Sequence, residues 1–86
     1  MVHVIVECLY EPPAGGDALR AEHDRLRKCL AVREVEVVGV YAAKDGRRVV
    51  HVLRARDADS ARNGFRSAAV AFERAWSATD LTPCGA

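Results

Sequence analysis

From Val2 to Tyr10 the chain alternates and is rich in β-branched residues, which predicts a strand, and Glu11-Pro12-Pro13-Ala14-Gly15-Gly16 ends it. Asp17 is a candidate N-cap for a helix with the apolar stripe Leu19, Leu26, Cys29 and Leu30, bordered by Glu22 and His23 and stopping near Val32. Arg33 to Ala43 predicts a second strand, Lys44-Asp45-Gly46 a hairpin turn with the Asp-Gly signal, and Arg47 to Ala55 a third strand. Asp57 is placed to cap a second helix burying Ala58, Ala61, Phe65 and Ala68, although Asn63-Gly64 weakens that helix. Phe72 to Leu81 turns extended again, giving a last strand around Trp76.

The order β-α-β-β-α-β over residues 1–86 predicts one ferredoxin-like α+β domain, a four-stranded antiparallel sheet with two helices on one face. The first and third strands are then central neighbours, and the other sheet face is open. An apolar open face needs a cover, and the expected one is a second copy, a homodimer of the dimeric α+β barrel type with a ligand cavity beside the sheet. Size argues the same way: a chain of 86 residues, 50% of them hydrophobic, is generously apolar for its length. Domains this small bury only ~60–65% of their unfolded surface.

Alternation sorts residues to faces. On the first strand Val4, Val6 and Cys8 suit the helix side, sending His3, Ile5, Glu7 and Leu9 to the open side. On the third strand Val50 and Val52 are expected inward, leaving Val49, His51, Leu53 and Ala55 open, and the second strand presents Val37, Gly39 and Tyr41 to that side. Glu7, Tyr41 and His51 are thus expected on one concave surface.

Composition narrows the function classes. A net charge of +1, carried mainly by Arg, gives no field that would concentrate nucleic acid or an anionic membrane. There is no run of 18 apolar residues, and Met1 leads into a short strand without a basic flank or small-residue cleavage site, so the cytoplasm is the expected compartment. Cys8, Cys29 and Cys84 fit neither a disulfide framework nor the CxxC spacing of structural zinc; Cys8 and Cys29 read as reduced core thiols, and Cys84 as part of a loose tail. No Ser-His-Asp order, phosphate loop or dinucleotide fingerprint is present.

The chemistry therefore centres on His51, a titratable group within an apolar strand that needs a partner. Glu7 or Tyr41 is the expected partner, fixing the tautomer so that the imidazole can accept a proton. Glu7 could instead pair with Arg48, Arg54 or Arg74. Trp76, Leu53 and Ile5 are candidate apolar walls of a substrate pocket, and Arg54 is a candidate anchor for a carboxylate or phosphate.

Val4 to Glu7, Tyr41, Asp45 to Arg48, Ala55, Asp57-Ala58, Ser60 to Arg62, Phe72 and Trp76 resemble a family of small bacterial ferredoxin-like proteins, a domain of unknown function with a nickel-binding member. The resemblance implies the ferredoxin-like fold and dimerisation, and recruitment of some relatives as cyclases or dehydratases in natural-product pathways. Where the family pattern has a third-strand Cys followed by Tyr, Glu and Pro, this chain has His51 followed by Leu53, Arg54 and Arg56, a change from thiolate to imidazole.

The leading expectation is a cofactor-independent isomerase, cyclase or dehydratase acting on a hydrophobic small-molecule substrate, with His51, Glu7 and Tyr41 as catalytic groups. The alternative is a nickel- or zinc-binding protein using His3, His51 and Glu7. A third possibility is a dimeric small-ligand-binding module without chemistry.

Overall fold

Alternating apolar residues build a sheet whose elements follow the expected order in a computed structural model that describes residues 1–82. Cys84 and the tail around it lie outside the described residues. The strands β1 (Val2–Leu9), β2 (Glu36–Ala42), β3 (Arg48–Ala55) and β4 (Arg74–Ala78) form one antiparallel sheet in the order β2-β3-β1-β4. Helices α1 (Gly16–Val32) and α2 (Ala58–Ser67) connect them in the ferredoxin-like βαββαβ topology.

Helix ends follow local chemistry, with one departure from expectation. Gly15, not Asp17, is the N-cap of α1 and supplies no side-chain hydrogen bond; Asp17 sits in the first turn, where its charge suits the helix dipole. Asp57 caps α2 as expected, its carboxylate accepting from the Ser60 N–H at 2.8 Å. Both helices close by the same motif. The N–H groups of Val35 and Glu34 return to Leu30 and Ala31, and those of Val70 and Ala69 to Phe65 and Arg66. Glu34 and Ala69 occupy the left-handed position in place of the usual glycine, at φ 59° and 57°.

The core lies between the helices and one sheet face. Val4, Val6 and Cys8 of β1 and Val49, Leu53 and Ala55 of β3 pack against Leu26 and Leu30 of α1 and Ala61 and Phe65 of α2. Gly64, which the helix propensity scale marks as a weakness, lets the helices meet: a Cβ there would stand 2.5 Å from Leu30 Cδ2. Gly46, in the β2–β3 turn at φ 72°, does the same for the loop after β1, where a Cβ would come 2.7 Å from the Ala14 carbonyl oxygen.

Gly64→Val should therefore destabilise the chain by at least ~2 kcal/mol, because added volume meets a fully buried leucine and a β-branched residue suits a helix poorly. Thermal unfolding should show a Tm lower by about 10 °C, at ~4–8 °C per kcal/mol for a domain of this size. An unchanged Tm would mean that the helices do not approach closely at this point.

Candidate functional site: a histidine cleft between helix and sheet

The β1–β3 register decides which face each candidate occupies. Val6 pairs with His51 and Val4 with Leu53, so His51 and Leu53 share the helix side with the core. Glu7 pairs with Val50, and Tyr41 pairs with the same Val50 from the other strand, so both lie on the open face. The expected set of Glu7, Tyr41 and His51 is thus split by the sheet, and Leu53, fully buried, is not an open-face wall. The reason is parity: Arg48 and Arg54 stand on alternate positions with Val50 and Val52, and two guanidiniums in the core cost more than one imidazole. Val37 also moves to the helix side, opposite Leu53, because a bulge between Val37 and Gly39 shifts the register, while Gly39 and Tyr41 remain on the open face.

On the open face Glu7, Trp76 and Arg54 have partners. Glu7 Oε2 accepts from the Trp76 indole N–H at 3.0 Å and stands 3.3 Å from Arg74 Nε. Trp76 pairs with Ile5 and is half exposed, and Arg54 bonds Glu36 at 3.4 Å. Tyr41 folds back over Gly39, where a Cβ would come 2.9 Å from its hydroxyl. His3, Ile5, Val38, Val52 and Asp80 line a shallow depression of about 270 Å³. His3 and Glu7, four residues apart on β1, are separated by ~13 Å at ~3.3 Å per residue, and His51 is on the opposite face. The metal set His3, His51 and Glu7 is not assembled, and among the described residues no three His, Cys, Asp or Glu side chains stand close enough to share an ion.

The helix side holds a different cluster. His51 is only 3% exposed, and among the described residues neither ring nitrogen has a hydrogen-bond partner. Its ring meets Phe65 edge to face at 5.0 Å and stacks with His23 of α1, with centroids 6.5 Å apart and planes 23° from parallel. His23 Nδ1 is also buried without a partner among the described residues. Between helix and sheet lies a cavity of about 50 Å³ lined by Tyr10, Leu19, Glu22, His23, Val40, Ala42, Val49 and His51. Val40 and Ala42, exposed on the edge strand β2, mark the side from which it can be reached. At its rim the Tyr10 hydroxyl donates to Glu22.

Comparison with known proteins adds the fold. No family model and no curated protein matches the chain. The chain is similar to the crystal structure of SCO4226 from Streptomyces coelicolor A3(2), with a TM-score of 0.82 over 91% of this chain and 96% of that one, at 10% identity. At that identity the likeness is one of fold. Among the described residues no helix is long and apolar enough to cross a membrane.

Burial sets the electrostatics of the cleft. His51 is lowered from 6.5 to about 4, first by desolvation and then by the neighbouring His23, so it is a neutral imidazole at physiological pH. The Cys8 thiol is pushed up to about 12 by burial and by the charge of Glu22, which makes it an inert thiol. Tyr10 is raised by burial and by its bond to Glu22, so it stays protonated as a donor.

Sequence patterning missed His23, Glu22 and Tyr10 as site residues. The signal was present: the stripe Leu19, His23, Leu26, Leu30 keeps the i, i+4, i+7 spacing of an inward helix face, with Glu22 beside it. His23 therefore belongs to the face that packs on the sheet.

The depressed His51 carries a stability signature. Between pH 6.5 and about 4 the unfolded chain binds a proton on His51 that the folded chain does not. Its stabilisation is complete above 6.5 and is lost as pH falls through that window, by about 3 kcal/mol in all at ~1.4 kcal/mol per unit. Thermal melts should show the wild type losing Tm between pH 6.5 and 4 more steeply than His51→Leu. Parallel curves would show that His51 is not a buried neutral group.

Proposed function

We propose that the chain is a cofactor-independent small-molecule enzyme of the isomerase, cyclase or dehydratase kind, working by proton transfer in the cleft under α1. The observation that carries the proposal is His51: a buried imidazole with both nitrogens unpartnered, on the wall of a cavity. Leaving such a group unsatisfied costs ~1–3 kcal/mol, and an apolar residue would fill the position at no such cost. An orphaned polar group on a cavity wall is a recurrent feature of sites that await a ligand.

In this mechanism a substrate hydroxyl or acidic C–H meets the neutral His51 imidazole, which accepts the proton and returns it at a second atom. Glu22 shares the cavity wall with His51, and the Tyr10 hydroxyl orients its carboxylate through their hydrogen bond, so that a substrate proton donor can be held there. The apolar walls Leu19, Val40, Ala42 and Val49 exclude water. Such a proton shuttle regenerates itself and consumes no cofactor.

Enolisable ketones and β-hydroxy carbonyl compounds are the substrates to screen, by NMR, for exchange or conversion. With a substrate so found, His51→Ala and Glu22→Gln should each lower kcat/KM by about 100-fold or more. Retained turnover in both variants removes the assignment. Binding in the cleft without turnover of any such compound makes the protein a binding module instead.

The proposal also assigns the open sheet face to a second copy. Ile5, Val38, Val50 and Val52 form an apolar strip there, with Tyr41 and Trp76 beside it. Sedimentation should give a dimer for the wild type and a monomer for Val52→Lys, and a monomeric wild type would overturn this assignment.

A further inference from the structure

We infer that the free edge of β2, with the flank of α1 beside it, is a docking groove for an extended peptide of another protein, one that carries acidic side chains near its C-terminal end. Such a site is independent of proton transfer in the histidine cleft.

The edge is open and apolar. β2 ends the sheet on one side, and the Ala43 N–H donates to the Arg48 carbonyl at 2.8 Å. In an antiparallel pair, residues alternate between turning their backbone groups to the partner strand and turning them away. Gly39, Tyr41 and Ala43 therefore face β3, while the N–H and C=O groups of Val40 and Ala42 point outward from the sheet. Edge strands are ordinarily guarded by Lys, Pro, a charge or a bulge. From Val37 to Ala43 there is no charge and no proline. The bulge between Val37 and Gly39 is the one guard, and it confines regular pairing to the stretch from Gly39 onward.

A groove continues the edge past the bulge. The chain turns back at Arg33 and Glu34, so α1 and β2 run side by side in opposite directions, and between them lies an open cavity of about 660 Å³. Its wall is Asp24, Arg27, Lys28 and Ala31, at the i, i+3, i+4, i+7 spacing of one helix face, and Val35 and Val37 form its floor. An edge strand flanked in this way can receive an extended peptide, with backbone hydrogen bonds giving affinity and the groove giving specificity.

Charge selects the partner. Arg27 and Lys28 are exposed, and neither makes an ion pair among the described residues. Glu36 is held by Arg54 at 3.4 Å, and Asp24 offsets one of the two cations, so the wall keeps a net positive charge. A peptide antiparallel to β2, the more stable pairing per residue, enters beside Ala42 and brings its C-terminal end to that wall. Acidic side chains there meet Arg27 and Lys28, and β-branched residues before them pair with Val40 and Ala42. Val40 and Ala42 also stand at the mouth of the histidine cleft, so the partner strand and a molecule entering the cleft compete for the same edge.

The test titrates the peptide acetyl-TVTVEE and its charge-reversed form acetyl-TVTVKK into the isotope-labelled chain, following backbone amides and the Trp76 indole N–H. The acidic peptide should shift Val37, Val40 and Ala42 saturably and slow hydrogen exchange at the Val40 and Ala42 N–H groups, with the basic peptide about tenfold weaker or more. The double variant Arg27→Glu with Lys28→Glu, at two exposed helix positions, should reverse that preference. Val40→Pro removes an outward N–H where an edge strand tolerates proline, and should abolish binding while the Trp76 signal reports an intact fold. Equal affinity for both peptides, or an unreversed preference in the double variant, overturns the acidic partner. Unchanged binding by Val40→Pro overturns strand addition, and a response confined to Trp76 and Ile5 moves the site to the open face and overturns it too. No saturable shift with either peptide removes the groove as a peptide site, and concentration-dependent shifts at Val40 and Ala42 without peptide make a second copy the occupant instead.

Discussion

The central pairing of β1 with β3 is the constraint on which the other features depend. Val4, Val6 and Cys8 stand opposite Leu53, His51 and Val49, so one register places all six on the same face. That face receives both helices and becomes the core. A slip of one residue would bring Arg48 and Arg54 inward and expel Leu53, which no local rearrangement could offset. His51 is buried because its neighbours on the same parity are the residues the core requires. Its place follows from theirs.

The helices convert that buried imidazole into a site. Their close approach at Gly64 and Leu30 sets where α1 lies over the sheet, and α1 then carries His23 and Glu22 above His51. Tyr10 arrives from the other direction. Its N–H bonds the Arg47 carbonyl at 2.7 Å, and Ala14 bonds the Gly46 carbonyl at 3.0 Å, tying the segment after β1 to the β2–β3 turn. Four titratable groups from three parts of the chain thus converge on one small cavity.

The two faces of the sheet differ in how their polar groups are satisfied. On the open face Glu7 has the indole of Trp76 and the guanidinium of Arg74, and Arg54 has Glu36. Those exposed pairs are weak, of order 1 kcal/mol or less, and water reaches the groups beside them. On the helix side both ring nitrogens of His51 and Nδ1 of His23 have none among the described residues, in surroundings where the lack costs most. That contrast directs attention to the cleft and away from the face that the hydrophobic pattern first suggested.

The sequence by itself determined the order of elements, the Asp57 cap, the Asp-Gly turn and the inward face of β1, because each depends on residues within one turn or one strand. It also marked His51 as the residue to explain. For β3 the alternation of apolar residues points to the wrong inward face, since Val49-Val50 and Val52-Leu53 offer apolar residues on both parities and only the arginines break the tie. The bulge at β2 and the closeness of α1 to α2 were not legible there, because a Gly within a helix looks like a defect until a neighbouring leucine fills its space. Which residues surround His51 was decided only in three dimensions. Tyr10, Glu22 and His23 are far from it along the chain, and what joins them is the packing of a helix across a sheet, an arrangement set by the shape of the whole core.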